Sequence, residues 1–273
     1  MARIRSPREV RKAQGNLFGV LLIAVAVLLI GAAMYAYLRQ KASVRSLDAS
    51  TLCPTDSPDA ITVLLVDMTD EMSPAQKQDF LNQFLKVRDD IPRFGQLQIF
   101  TVSPTSEGLL SPIVTLCNPG RGADIDPLIG NPTKVEKRWK DGFGQPLDAA
   151  FRSVTTMSNA SRSPILESIQ SVALTALLSP KNQRKPRRLV VASDLIQFTN
   201  SIDFYKGLPE PKVFLESRAF LNVKTDLREV EVELWMLRRS DQTPVQTRDL
   251  ILLWEAMLNS QGAKLTRVYN VSG

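Results

Sequence analysis

The distribution of apolar and polar positions divides the chain into two unlike parts. Residues 17–38 (LFGVLLIAVAVLLIGAAMYAYL) form an uncharged apolar run of 22 residues. A bilayer core needs about 20 such residues in a helix, so a single retained transmembrane helix is expected here. Tyr35 and Tyr37 sit near its end, where an aromatic belt belongs. No small-residue cleavage site follows, which argues against a removed signal peptide. Gly15 and Gly19 have the spacing that lets two helices approach, although glycine is also common near helix ends.

Beyond a polar linker at 39–58, short apolar runs alternate with helical patterns. Ile61–Asp67 (ITVLLVD) is a continuous apolar run closed by a carboxylate, as in a strand buried on both faces. Ser73-Pro74-Ala75-Gln76 then reads as a capping box with proline at the first helical position. Phe80, Leu81, Phe84, Leu85 and Val87 follow on one helical face. Leu97–Val102 and Ile113–Leu116 read as strands joined in a hairpin, since no helix fits between them. Residues 118–145 contain five glycines and three prolines and predict a long irregular excursion pinned by Trp139 and Phe143. Helices are predicted at Pro146–Met157 and Pro164–Leu178, the latter capped by Ser163. Strands follow at Arg188–Ser193, Val230–Leu237 and Lys264–Val271, with a short helix at Val213–Leu221 and a longer one at Arg248–Ser260. Strands alternating with helices imply an α/β fold, a mostly parallel sheet covered on both faces with one antiparallel strand at an edge.

Charge sharpens the division. The chain has 273 residues and a net charge of +6, yet residues 1–45 hold eight of the 34 basic residues and one of the 28 acidic ones. The rest, 26 basic against 27 acidic residues, is near neutral. The folded part therefore lacks the basic excess of a nucleic-acid binder, and the short basic run at Lys181–Arg188 reads as a solvated loop. Five basic residues precede the apolar run and three follow it. This places residues 1–16 in the cytoplasm as a basic tail and the domain, 59–273, outside it, in the periplasm if the source is bacterial. Two cysteines, Cys53 and Cys117, suit one disulfide in an exported domain, or two thiols if the domain is cytosolic. The chain contains no histidine, which removes Ser-His-Asp and Cys-His catalysis and histidine metal ligation together.

The order of elements, with its early hairpin, resembles the von Willebrand factor A (vWA) fold. Asp67-Met68-Thr69-Asp70-Glu71 follows the first strand, Ser161 and Ser163 lie in a middle loop, and Ser193-Asp194 ends a later strand. In vWA domains an Asp-x-Ser-x-Ser loop, a middle Thr or Ser and a later Asp form a metal-ion-dependent adhesion site. The resemblance thus implies a degenerate site of Asp67, Thr69, Ser163 and Asp194, with Mg²⁺ or Mn²⁺ as the cofactor it would take. Glu71 departs from the second serine of the motif, and Leu195 stands where vWA domains commonly carry glycine. Ligands of open α/β sheets bind outside the carboxyl ends of strands, and two carboxylates with two hydroxyls suit a hard cation. Asp67 and Asp194 are equally able to cap the turns after their strands.

These readings imply a membrane-tethered binding or scaffold module for an unidentified protein partner, not an enzyme. One alternative is a haloacid-dehalogenase-like phosphatase using Asp67 and Ser193, although Thr69 stands where its second aspartate belongs. The other is a purely structural, metal-free scaffold.

Overall fold

The computed structural model describes residues 7–42, 45–67, 72–102, 108–128, 130–155, 162–239 and 244–272, and within the first helix it describes side chains at 19–35 and 38. The chain divides into two units, Met1–Ser46 and Leu47–Gly273. The first is a 36-residue helix, α1 (Pro7–Ala42). Every side chain from Val20 to Tyr35 is exposed. Among the described residues no helix is long and apolar enough to cross a membrane.

The second unit is built on a six-stranded sheet. Its strands are β1 (Ile61–Val66), β2 (Gln96–Thr101), β3 (Val114–Cys117), β4 (Arg187–Ser193), β5 (Val230–Leu237) and β6 (Lys264–Val271), in spatial order β3-β2-β1-β4-β5-β6. All neighbours pair in parallel except β2 and β3, which form the expected antiparallel hairpin at one edge. Such parallel strands need cover on both faces, and β1 shows why its sequence is uniformly apolar. Val63 and Leu65 join one hydrophobic cluster while Leu64 and Val66 join the other, all four fully buried.

On the first face lie α5 (Ile165–Val172), α6 (Pro211–Glu216), α7 (Arg218–Val223) and α8 (Arg248–Ser260), centred on Phe220, Trp254 and Met257. On the other lie α2 (Pro74–Asp90), α3 (Pro132–Trp139) and α4 (Gln145–Val154). There Phe84 and Phe151 stack with centroids 4.1 Å apart, and Phe80 meets Trp235 edge-on at 5.9 Å. The capping box predicted at Ser73 and Gln76 is present in full.

Several expectations change. The excursion at 118–145 contains a helix, α3, capped by Asn131, whose side chain accepts from Lys134 N at 2.9 Å. Asn131-Pro132 carries the same cap-then-proline signal as Ser73-Pro74, masked by the surrounding glycines. Trp139 and Phe143 are buried as anticipated, and the Arg121 guanidinium lies 3.3 Å from the Trp139 ring centroid. The single short helix predicted at Val213–Leu221 is two helices parted at Ser217, which caps the second. The helix predicted from Pro164 to Leu178 is α-helical only to Val172 and continues as a π-turn over Ala173–Leu177. The basic run is not wholly a solvated loop. Arg187 is buried on β4, its guanidinium donating to Arg228 O at 2.9 Å, and Arg188 donates to Glu233 Oε1 at 2.6 Å.

The end of the expected linker is fastened to the domain. Cys53 and Cys117 form a disulfide, and Cys117 N donates to Thr51 O at 2.9 Å beside β3. Asp48 accepts from the hydroxyls and amides of Ser50 and Thr51. Those hydrogen bonds, the Ser50 hydroxyl first, bring its carboxyl down to about 2. The disulfide spans a sequence separation of 64. Closing a loop of that size in the unfolded chain is worth about 4 kcal/mol in the chain-entropy account. Cys53→Ser with Cys117→Ser is therefore expected to lower the urea-unfolding free energy by about 2–4 kcal/mol. An unchanged midpoint would show that the segment before β1 adds nothing to the domain.

Candidate functional site

β1 has β2 on one side and β4 on the other, so the sheet's direction of growth reverses between β1 and β4. In open α/β sheets the crevice at such a switch point, beyond the carboxyl ends of the strands, is where ligands bind. Asp67 follows β1 and Asp194 follows β4, so the two carboxylates named from sequence end neighbouring central strands. Asp67 N donates to Ala192 O at 2.8 Å, continuing the ladder past the strand end.

Three of the four predicted site residues lie at this edge. Asp67, Ser163 and Asp194 are 3%, 4% and 4% exposed. The Ser163 hydroxyl donates to Asp67 Oδ2 at 2.5 Å, and the Ser193 hydroxyl donates to the same oxygen at 3.0 Å. Ser163 is thus not the helix cap that its sequence context suggests. Pro164 occupies the cap position of α5, and Leu166 N instead donates to Gln197 Oε1 at 2.9 Å. Ser163 is set in place by backbone bonds in both directions with Phe198. Thr69, Asp70, Glu71 and Ser161 lie outside the described residues.

Asp194 is held separately. Its Oδ1 accepts from Ile196 N at 2.9 Å, the local turn anticipated for it, and its Oδ2 accepts from Arg239 Nη1 at 2.5 Å. Arg239 Nη1 also donates to Tyr205 OH at 3.2 Å. Gln246 fixes the chain around this contact. Its Nε2 donates to Asp194 O at 3.0 Å and Leu237 O at 2.8 Å, and its Oε1 accepts from Arg239 N at 2.8 Å. Among the described residues, Ser193, Arg239, Gln197 and Gln246 also belong to this edge. Of these only Ser193 had a signal in sequence, its place at a strand end.

Mg²⁺ favours six oxygens in near-octahedral array. Among the described residues no group of three or more His, Cys, Asp or Glu side chains is placed to hold a metal ion. Both oxygens of Asp194 are engaged, one by a full positive charge. A dication about 4 Å from a guanidinium meets a repulsion of roughly 8 kcal/mol at an effective dielectric of 20. Held this way, Asp194 fits a guanidinium rather than a metal ion.

Chemically the arrangement is quiet. Ser193 is fully buried, and its oxygen accepts from Leu195 N at 2.9 Å while its proton goes to Asp67. The hydroxyl is hydrogen-bonded on both sides and out of reach of a substrate.

No protein-family model matches the chain, and no curated protein matches it. Similar solved structures include the VWA domain of SpRpn10, 14% identical over 77% of this chain and 87% of that one, with a TM-score of 0.39. Another is the conserved hypothetical protein BatB from Bacteroides thetaiotaomicron, 10% identical over 77% and 91% of the two chains, with a TM-score of 0.38. A third is an aerotolerance-related membrane protein from Bacteroides fragilis with multiple mutations to serines, 9% identical over 78% and 92%, with a TM-score of 0.36.

Leu195 follows Asp194 in the turn after β4. Its φ is +64°, the left-handed conformation that glycine adopts freely and a leucine seldom does. The side chain is fully buried in the core and its carbonyl accepts from Trp254 Nε1 at 2.8 Å. Left-handed backbone costs an L-residue about 1–2 kcal/mol, which burial of the leucine offsets. Truncation to Ala or Gly is expected to destabilise by about 2–5 kcal/mol. Glycine should nevertheless equal or exceed alanine, reversing its usual deficit of about 0.5–1 kcal/mol. Urea midpoints of Leu195→Ala and Leu195→Gly test this, and a glycine variant weaker than alanine would contradict the strain.

Proposed function

We propose that this protein is a membrane-tethered binding module whose domain serves as a metal-free scaffold for a protein partner outside the cytoplasm. The observation that carries the reading is the closure of the strand-end polar groups. Asp67, Ser163, Ser193 and Asp194 are all less than 5% exposed and are bonded to one another or to Arg239. Groups so engaged position loops rather than perform chemistry, and with no histidine in the chain a general base of the usual kind is missing. The phosphatase alternative needs the Ser193 hydroxyl in contact with substrate, and its complete burial speaks against that.

Tethering is supported by the chemistry of α1. An unbroken row of exposed side chains from Val20 to Tyr35, almost all apolar, is far more than a surface in water sustains. The uncharged run of 17–38 has the length a bilayer requires. The disulfide and the greater positive charge before the run both favour a domain outside the cytoplasm. The partner-facing surface is sought in the 118–145 excursion, where Leu128 is 94% exposed at a loop tip.

The full-length chain tests this in three readouts. It is expected to stay with membranes through alkaline carbonate washing. A photoreactive residue at Leu128 is expected to give a discrete adduct heavier than the chain's 30.4 kDa. Phosphate-ester turnover is expected to stay at the buffer rate with or without Mg²⁺. Release from the membrane, or turnover lost in Asp67→Asn, would overturn the reading.

A further inference from the structure

We propose that a cleft at the amino ends of β4 and β5 binds a phosphate-class oxyanion, held by Arg184, Arg187 and Arg228. It lies at the edge of the sheet opposite Asp67 and Asp194 and goes beyond the function proposed above. The cleft has a volume of about 370 Å³, and Asp226 and Glu229 line it beside the three arginines. That size stands at the low end of the roughly 300–1,000 Å³ of small-ligand sites.

Arg187 is the residue that calls for a ligand. It opens β4, and its side chain is 4% exposed. A guanidinium carries five N–H donors, and a buried one needs them met. Here Nη2 donates to Arg228 O at 2.9 Å and to Glu229 Oε2 at 3.3 Å, while Nη1 reaches only Leu177 O at 3.5 Å. Among the described residues its buried Nε meets no acceptor. The carboxylate it touches, that of Glu229, belongs to a side chain 80% exposed. A cation taken out of water is thus met by one oxygen of a group that is mostly in water. Such a pairing offsets little of the desolvation cost.

The other two arginines come from the loops that enter the same two strands. Arg184 lies in the turn before β4 and is exposed. Arg228 lies just before β5 and is fixed by Asp226, with Nη2 donating to Oδ2 at 2.6 Å and Nε to Oδ1 at 2.9 Å. These bonds, the Arg228 side chain first, bring the Asp226 carboxyl down to about 2, so it stays charged at neutral pH. The stem of Arg228 lies against Gly262, where a Cβ would stand 2.5 Å from Arg228 Cγ.

Glu229 serves as a placeholder. Its carboxylate holds Arg187 by one oxygen and is otherwise in water, so it can turn outward and leave its place to a ligand. Three arginines against Asp226 and Glu229 leave the cleft with one positive charge, and with Glu229 turned outward it has two. A phosphate group carries about −1.5 to −2 at neutral pH. It also offers three terminal oxygens to guanidiniums arriving from different directions, whereas a carboxylate offers two in one plane.

Melting of the full chain in non-ionic detergent micelles, followed by the fluorescence of its three tryptophans, tests this. Sodium phosphate is compared with sodium chloride at matched ionic strength. Wild type is expected to melt higher in phosphate, by roughly 5–10 °C once phosphate reaches about a hundred times its dissociation constant. Arg184→Gln is expected to need at least about ten times more phosphate for the same rise, because a charged donor is lost. Glu229→Gln is expected to need about ten times less, because the internal competitor is gone. Both residues are exposed, so both variants are expected to fold. A second arm replaces phosphate by short-chain phosphatidic acid in the micelle, with phosphatidylcholine as its control. A rise with inorganic phosphate alone assigns a soluble phosphate compound, and a rise with phosphatidic acid that weakens in Arg184→Gln assigns a lipid headgroup. The inference is overturned if neither probe exceeds its control, or if either variant responds as wild type does.

Discussion

Two buried carboxylates, Asp67 just past β1 and Asp194 just past β4, are the constraint around which the upper edge of this domain is arranged. An ionised carboxylate taken out of water costs several kcal/mol unless donors and charge replace its hydration. The sheet places Asp67 and Asp194 there because parallel strands end together, and their registers fix Val66 opposite Ala192. The donors then come from remote parts of the chain. Ser163 arrives through its bridge with Phe198, Ser193 from the end of β4, Arg239 from beyond β5 and Gln246 from the approach to α8. Each of these crossings ties a loop to the sheet's upper edge, so the polar cluster does there what the apolar clusters do on the faces.

Much of the fold was legible because it depends on period and punctuation. Ile61–Val66 is apolar at every position because both faces of β1 are covered, and Ser73-Pro74 with Gln76 announced α2. The hairpin followed from the want of a helix between β2 and β3. What was hidden depended on competition between signals. The glycines of 118–145 concealed α3 although Asn131-Pro132 marked its start. Ser163-Pro164 looked like a helix cap, yet Pro164 takes the cap position of α5, Leu166 N donates to Gln197, and the Ser163 hydroxyl donates to Asp67.

The site itself was half visible. Strand ends directed attention to Asp67, Ser193 and Asp194, since that geometry follows from topology alone. Arg239 and Gln246 were invisible because nothing in a local pattern distinguishes an arginine two residues past a strand from any solvated one. Their roles arise only when β5 is laid beside β4. The departure at Leu195 shows the same limit in reverse. A left-handed turn carries a leucine there, and burial of its side chain offsets the strained backbone.

Outside the edge, the Cys53–Cys117 disulfide and the Thr51 carbonyl fasten the segment before β1 to the β3 edge of the sheet. That fastening covers part of an edge strand that would otherwise offer unpaired backbone groups.

The central claim is that Asp194 and Arg239 act as a pair. A double-mutant cycle by urea unfolding, with Asp194→Ala, Arg239→Ala and both together, measures it most directly. The account predicts a coupling energy of about 2 kcal/mol or more, because either single change leaves a buried charge that the double change removes. Additivity within about 0.5 kcal/mol would contradict it and return Arg239 to the surface.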